Sequence, residues 1–226
     1  MILTMCFPSL EIGFVDEVVH AGGEKCDVVL VCNSVGSCAG LQAIADRREE
    51  KEDFYKGIML LNPSLRLLHT TKQAWFAKPF VKLFQDFLRE SPAGQLFFKQ
   101  VAQPKAIENI LKEAYHNEET VSSELVNVVL NPGLQPGAVR VFLDFLSYSG
   151  GPLPEELIPK MPCPVELVWG AEDPWESIDI GRETLGCFDT VSNFHTLENV
   201  GHCPMDEAPE KVNPLIKAFL SEVSEL

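Results

Sequence analysis

The chain has 226 residues, enough for one domain with a sizeable core, and 46% of them are hydrophobic. Its formal net charge of −15 argues against a nucleic-acid partner, because phosphate binding needs a basic surface, and it disfavours electrostatic docking on anionic lipid. The seven cysteines are odd in number and form no CxxC pair, so we expect a reducing compartment, no disulfide framework and no zinc site. We also expect no cofactor.

The first predicted elements form a strand–helix–strand unit. Residues 8–19 carry apolar side chains at helical spacing. Residues 28–33 (VVLVCN) are an almost unbroken apolar run, which is typical of a strand buried on both faces of a parallel sheet. A helix is predicted over 35–48 and a second buried strand over 57–62 (GIMLLN), and this order is that of a βαβ unit.

A long helical segment follows. Between about 65 and 160, apolar residues recur at helical spacing around 80–87, 107–115, 125–130 and 141–146, and no strand is predicted. Proline and glycine separate these helices.

The α/β pattern then resumes. A buried strand is predicted at 164–170 (PVELVWG), a helix near 176–186, a strand near 192–197 and a final amphipathic helix at 207–224.

The predicted fold class is therefore α/β, with a mainly parallel sheet and a helical lid inserted between its strands. Residues 1–64 and 161–226 would form the core, and residues 65–160 would form the lid.

Ser34 lies where the first buried strand breaks into a helix. In an open α/β sheet, ligands bind at the carboxyl ends of the strands, so a hydroxyl in such a turn is exposed to a ligand. The stretch Cys32-Asn33-Ser34-Val35-Gly36 resembles the pattern G-x-S-x-G, with cysteine in place of the first glycine. The N–H of Val35 could then bind a developing oxyanion. The alternative is that Ser34 merely caps the helix that follows.

Two later loops carry the partners that such a serine needs. Asp173 follows the strand at 164–170, and His202 follows the last strand, so the chain order is serine, acid, histidine. Because the strands are parallel, these loops open at the same end of the sheet as Ser34. Alternatives stay open: Asp173 could cap a helix, Glu172 is a rival acid, and His202 could be structural.

These residue types predict nucleophilic catalysis. A neutral imidazole takes the serine proton, and a carboxylate fixes the imidazole tautomer and stabilises the imidazolium. The product is an acyl-enzyme, so the predicted reaction is hydrolysis of an ester or amide. The other four histidines, at positions 20, 69, 116 and 195, show no matching placement.

Several stretches resemble the α/β-hydrolase superfamily, and within it the plant and algal chloroplast hydrolases of the chlorophyll dephytylase type, with pheophytinases more distant. The matching stretches are VCNSVGSCAGLQA, GIMLLNPSLRLLH, NPGLQPGAVRVFLDFLSYSGGPLPEEL, WGAEDPWE and NVGHCPMDEAPEKVNPLI. The resemblance implies that Ser34, Asp173 and His202 are nucleophile, acid and base. It also implies hydrolysis of the phytyl ester of chlorophyll, a chloroplast location, and a soluble or peripheral thylakoid protein.

An apolar lid suits a long isoprenoid tail. Phe80, Phe84 and Phe87 are candidate contacts for that tail, together with Phe97 and Phe98, although we expect most of them to pack in the lid core.

The amino end departs from the family pattern. The family has several strands and a His-Gly oxyanion loop before the serine strand, whereas 27 residues precede Val28 here and contain no His-Gly pair. We therefore expect a truncated chain without its transit peptide, a second oxyanion donor or a neighbour for its first strand. Two alternatives follow: a generic lipase or carboxylesterase, and a non-catalytic remnant that binds pigment or lipid. The sequence leaves the oligomeric state open.

Overall fold

The structure is a computed structural model that describes residues 13–21, 26–49, 54–67, 69–147 and 149–225. The chain divides into two compact units. The first unit combines Met1–Leu65 with Pro152–Leu226, and the second is the continuous segment Arg66–Gly151.

The first unit contains a four-stranded parallel sheet. Its strands lie side by side in chain order, as β1 (Val28–Asn33), β2 (Tyr55–Leu61), β3 (Val165–Gly170) and β4 (Val191–Leu197). All three pairings are parallel, and each strand agrees with its predicted bounds to within two residues. Within the described part of the chain, β1 forms one edge of this sheet, as expected.

The helices fall into both units. In chain order they are α1 (Val35–Glu49), α2 (Lys78–Glu90), α3 (Pro92–Val101), α4 (Pro104–Ala114), α5 (Ser123–Gly133), α6 (Ala138–Ser147), α7 (Pro154–Leu157), α8 (Ile178–Thr184), α9 (Pro204–Glu207) and α10 (Pro209–Val223). Shorter helical turns lie at Val15–Val19, Glu118–Thr120 and Ile158–Lys160. The helix predicted over 8–19 is thus seen as a π-helical turn, and residues 8–12 lie outside the described residues.

The sheet is packed on both faces because neighbouring residues of a strand point to opposite sides. On one face, Ile58 and Trp169 lie in a core with Leu41 of α1. On the other face, Met59 lies in a second core with Phe219 of α10. All five side chains are buried, which explains why the strand sequences are apolar without alternation.

The second unit is helical. It holds α2 to α6, and its described residues contain no strand. The second unit ends at Gly151, whereas the lid was predicted to end at residue 160. The physical reason is that Leu157 and Ile158 are buried in the core of the first unit. The sequence pattern did not predict this packing, because prolines interrupt the apolar spacing around these two residues.

Helix α2 exposes its apolar side. Phe80, Phe84 and Phe87 are 72%, 60% and 54% exposed, so the expectation that most of the five phenylalanines pack in the lid core is wrong. On another side of the helix, Val81, Gln85 and Leu88 are partly buried. Arg89 pairs with Asp144 of α6 at 2.8 Å. Of the other two phenylalanines, Phe98 is buried and Phe97 is exposed. Among the described residues, no helix is both long and apolar enough to cross a membrane.

Candidate active site

The turn from β1 into α1 holds Ser34 in a strained conformation. Its φ is 52°, a left-handed value that costs a residue with a Cβ about 1–2 kcal/mol. Three main-chain hydrogen bonds hold it there. The Ser34 N–H donates to the carbonyl of Leu61 (3.1 Å), and the Ser34 carbonyl accepts from the N–H groups of Ser37 (3.0 Å) and Ser64 (3.1 Å). The sharp strand-to-helix turn expected at Ser34 is therefore present.

A glycine in α1 makes room for the cysteine that departs from the motif. A Cβ added at Gly40 would lie 2.6 Å from the Cys32 sulfur, well inside contact distance. The thiol thus fills space that the absent side chain of Gly40 leaves open. Cys32 is buried, so this exchange of glycine for cysteine is accommodated by packing.

His202 connects Ser34 to Asp173. Its Nε2 lies 2.9 Å from the Ser34 Oγ, and its Nδ1 lies 2.8 Å from the Asp173 Oδ2. The His202 and Asp173 side chains are 5% and 1% exposed. An ionised carboxylate can only accept hydrogen bonds, so Nδ1 carries the proton and Nε2 is left to accept one from the serine hydroxyl.

Asp173 is held by four donors. Its Oδ1 accepts from the N–H groups of Trp175 (2.9 Å) and Glu176 (3.1 Å). Its Oδ2 accepts from the Asn62 amide (2.7 Å) as well as from His202. Burial alone would raise the pKa of Asp173, but these hydrogen bonds lower it below its ordinary value. The carboxylate therefore stays ionised, and Asp173 also makes the turn-capping bonds that the sequence left as an alternative.

The acid loop and the base loop are joined directly. The N–H of Glu172 donates to the carbonyl of Val200 at 2.9 Å, and the Glu172 side chain, the rival acid, is exposed. The Gly201 N–H donates to Glu207 at 2.8 Å. Gly170 is closely covered by this loop, since a Cβ there would lie 2.1 Å from the Gly201 carbonyl oxygen.

A sequence profile described as the alpha/beta hydrolase family matches residues 8–215. The chain belongs to the alpha/beta hydrolase family. The sheet and the strand-to-helix turn at Ser34 agree with this assignment.

Curated relatives match part of this alpha/beta hydrolase. The chain is 24% identical over 133 residues to a chloroplastic pheophytinase of Arabidopsis thaliana, covering 57% of this chain and 27% of that protein. It is 24% identical over 148 residues to the monoacylglycerol lipase ABHD6 of Mus musculus, covering 64% and 43%. The uncharacterized hydrolase YugF of Bacillus subtilis is 23% identical, with 57% and 47% covered. The chain thus spans between about a quarter and a half of the length of these relatives.

Solved hydrolase structures share the fold. A thermophilic esterase from Thermogutta terrifontis superposes with a TM-score of 0.66 at 16% identity, covering 99% of this chain and 75% of that one. A membrane phospholipase A described as a bacterial virulence factor superposes with a TM-score of 0.65 at 19% identity, covering 97% and 64%. These similarities confirm the α/β-hydrolase fold.

The remaining predictions for this alpha/beta hydrolase concern Val35, three phenylalanines, metal ligands and the other histidines. Val35 is the first residue of α1, so its N–H has no carbonyl partner within the helix. The role of Phe80, Phe84 and Phe87 in binding substrate stays a prediction. No group of three or more potential metal ligands is found among the described residues. Of the other histidines, His195 pairs with Glu166 at 2.5 Å.

Sequence reasoning missed Asn33, Asn62 and Trp175. Asn33 ends β1 and Asn62 directly follows β2, and they bond to the loops of His202 and Asp173, respectively. The Trp175 ring lies 4.9 Å from the His202 ring, centroid to centroid. A signal for the asparagines is present in the sequence, because both apolar runs, VVLVCN and GIMLLN, end on the same polar residue type. No comparable signal marks Trp175.

Proposed function

We propose that this alpha/beta hydrolase is a serine ester hydrolase in which Ser34 is the nucleophile, His202 the general base and Asp173 the acid. The observation that supports this most is the continuous hydrogen-bonded chain from the Ser34 Oγ through the His202 ring to Asp173, with contacts of 2.9 and 2.8 Å. Nucleophile, base and orienting group within hydrogen-bond reach are what this chemistry requires.

The proposed mechanism has two halves. In the first, His202 Nε2 takes the Ser34 proton as Oγ attacks the ester carbonyl, and the alcohol leaves with that proton to give an acyl-serine. In the second, water attacks the acyl-serine with the same assistance and releases the acid. The Asp173 carboxylate stabilises the imidazolium in both halves. The N–H of Val35 donates to the developing oxyanion from the start of α1.

The proposed substrate is the phytyl ester of chlorophyll or a similar ester with a long apolar chain. The pheophytinase and monoacylglycerol lipase among the relatives support an apolar ester as the substrate class. The exposed phenyl rings of Phe80, Phe84 and Phe87 supply apolar area, and burial of such area is favourable by about 25 cal/mol per Å². Chloroplast location and peripheral contact with the thylakoid membrane follow from this substrate and belong to the proposal.

A generic lipase or carboxylesterase is the second candidate. The similarity to ABHD6 favours it, because that relative is described as a monoacylglycerol lipase and is matched over a larger share of this chain than the pheophytinase. The two candidates share the proposed catalytic residues and differ in the alcohol that leaves.

The test compares turnover of chlorophyll a with turnover of a short-chain nitrophenyl ester. The Ser34→Ala variant should lose both activities. Ser37→Ala is the matched control, because Ser37 lies in the first turn of α1, three residues after Ser34, and its hydroxyl donates to the Cys32 carbonyl at 3.4 Å. Turnover of the nitrophenyl ester alone would favour the second candidate. Unchanged turnover in Ser34→Ala would contradict the mechanism.

A further inference from the structure

Two buried asparagines occupy equivalent places at the ends of neighbouring strands. Asn33 is the last residue of β1, and Asn62 follows the last residue of β2. Asn33 is aligned with Leu61 in the pairing of these strands, so the two carboxamides lie at the same edge of the sheet. Both side chains are buried, where each unpaired polar atom would be costly.

Asn62 has a side chain whose orientation is fixed by its neighbours. Its Oδ1 accepts from the N–H of Gly170 at 3.1 Å, so the oxygen must face the strand β3. The amide end therefore faces Asp173, and it donates to Oδ2, the same oxygen that accepts a hydrogen bond from His202 Nδ1. The φ of Asn62 is 42°, a left-handed value that asparagine tolerates better than most residues.

Asn33 acts on the main chain of the base loop. Its amide donates to the carbonyl of Leu61 at 3.0 Å and to the carbonyl of His202 at 3.1 Å. These two carbonyls are acceptors only, so both hydrogens of one amide group are used. The loop that carries His202 is thereby tied to the strand that ends one residue before Ser34.

We propose that Asn33 and Asn62 are positioning residues that divide one task. Asn62 fixes the carboxylate of Asp173, and Asn33 fixes the backbone of His202, so that together they set the imidazole between Ser34 and Asp173. This inference rests on the proposed function, because it assigns the two residues to the same reaction. Neither side chain hydrogen-bonds with the Ser34 Oγ, whose partner is His202.

Three variants remove the donating amide groups of these asparagines. Asn62→Gly keeps the left-handed conformation and deletes the carboxamide. Asn62→Asp and Asn33→Asp keep the shape and replace the donating amide by a carboxylate. Asn193→Asp is the matched control for charge, because Asn193 lies on β4 with an exposed side chain.

Kinetics on a soluble nitrophenyl ester give the first readout. Misplacement of a catalytic group by about 1 Å can cost about 10²-fold in rate, so we expect kcat to fall by about that factor in Asn62→Gly and Asn33→Asp, with KM little changed. In Asn62→Asp a second carboxylate would lie beside Asp173, and like charges resist joint ionisation. The acid limb of its kcat/KM profile should therefore move to higher pH, which checks that residue 62 lies beside the Asp173 carboxylate.

A second readout does not need turnover. In protein labelled with ¹⁵N-histidine, the Nδ1–H proton of His202 should give a downfield resonance in the native chain and in Asn193→Asp. It should be lost or broadened in Asn62→Gly, while the thermal midpoint shows that the variant is folded.

The two readouts distinguish the two failures. If the folded native chain shows no Ser34-dependent turnover but Asn62→Gly alters the Nδ1–H resonance, the proposed function fails and the positioning role stands. If Ser34-dependent turnover is present, and the folded variants keep kcat/KM within about twofold together with a native resonance, the positioning role is overturned.

Discussion

Gly170→Ala should disable the site, because the added methyl group would collide with the loop that carries His202. A Cβ at this position would lie 2.1 Å from the Gly201 carbonyl oxygen and 2.5 Å from that of Val200. Carbon–oxygen contacts are ordinarily at least about 3.3 Å, so the loop before His202 has to move by about 1 Å. Both obstacles are backbone atoms of a loop that Glu207 and Asn33 also hold, so rotation of a side chain cannot relieve the clash.

The expected loss is about 10²-fold in kcat/KM, because the displaced loop carries the proposed base. Overpacking should also cost about 1–3 kcal/mol of stability. The assay is hydrolysis of a soluble nitrophenyl ester, with the thermal midpoint measured in parallel. Gly150→Ala is the control, because a Cβ there meets nothing within 4 Å. A Gly170→Ala enzyme with unchanged activity and unchanged midpoint would refute the reasoning.

Two further predictions concern groups outside the hydrogen-bonded chain. Burial raises the pKa of Glu166 above its ordinary value of 4.5, while the hydrogen bond with His195 opposes the shift. Between 4.5 and its folded-state pKa, Glu166 binds more protons in the folded chain than in the unfolded one, so the native chain loses stability as pH rises through this window. The thermal midpoint of Glu166→Gln should therefore rise relative to that of the native chain as pH increases above 4.5, and a constant difference would contradict this. Replacing Phe80, Phe84 and Phe87 together by serine should leave the midpoint almost unchanged, because surface substitutions rarely exceed about 0.5 kcal/mol each. The KM for a long-chain ester should rise while that for a butyrate ester stays constant, and equal values for both esters would remove the proposed substrate contact.

The strands of the sheet could be predicted because burial on both faces leaves a simple signal. VVLVCN, GIMLLN and VELVWG are nearly continuous apolar runs, and they form β1, β2 and β3. The parallel direction then brings Ser34, Asp173 and His202 to one edge of the sheet. The order of the strands and their parallel direction are enough for this inference, so the proximity of the three side chains could be predicted from the sequence.

Other features could not be predicted because periodicity does not say what a helix packs against. The spacing of Phe80, Phe84 and Phe87 marks one side of a helix, yet in α2 that side is exposed while Arg89 and Gln85 contact α6. Helix α3 was not predicted, since Leu96, Phe97 and Phe98 are consecutive in its middle and do not show a helical spacing. The partners of a buried carboxamide depend on loops far away in the chain, such as the 169 residues between Asn33 and His202.

Covalent labelling of the serine tests the central claim most directly. The folded chain would be treated with a fluorophosphonate, and the modified peptide would be located by mass spectrometry. We expect one phosphonyl group on Ser34, none in Ser34→Ala, and much slower labelling in His202→Gln, because the hydroxyl is activated by the imidazole. A folded native chain that stays unlabelled at Ser34, or labels equally fast without the imidazole, would contradict the account.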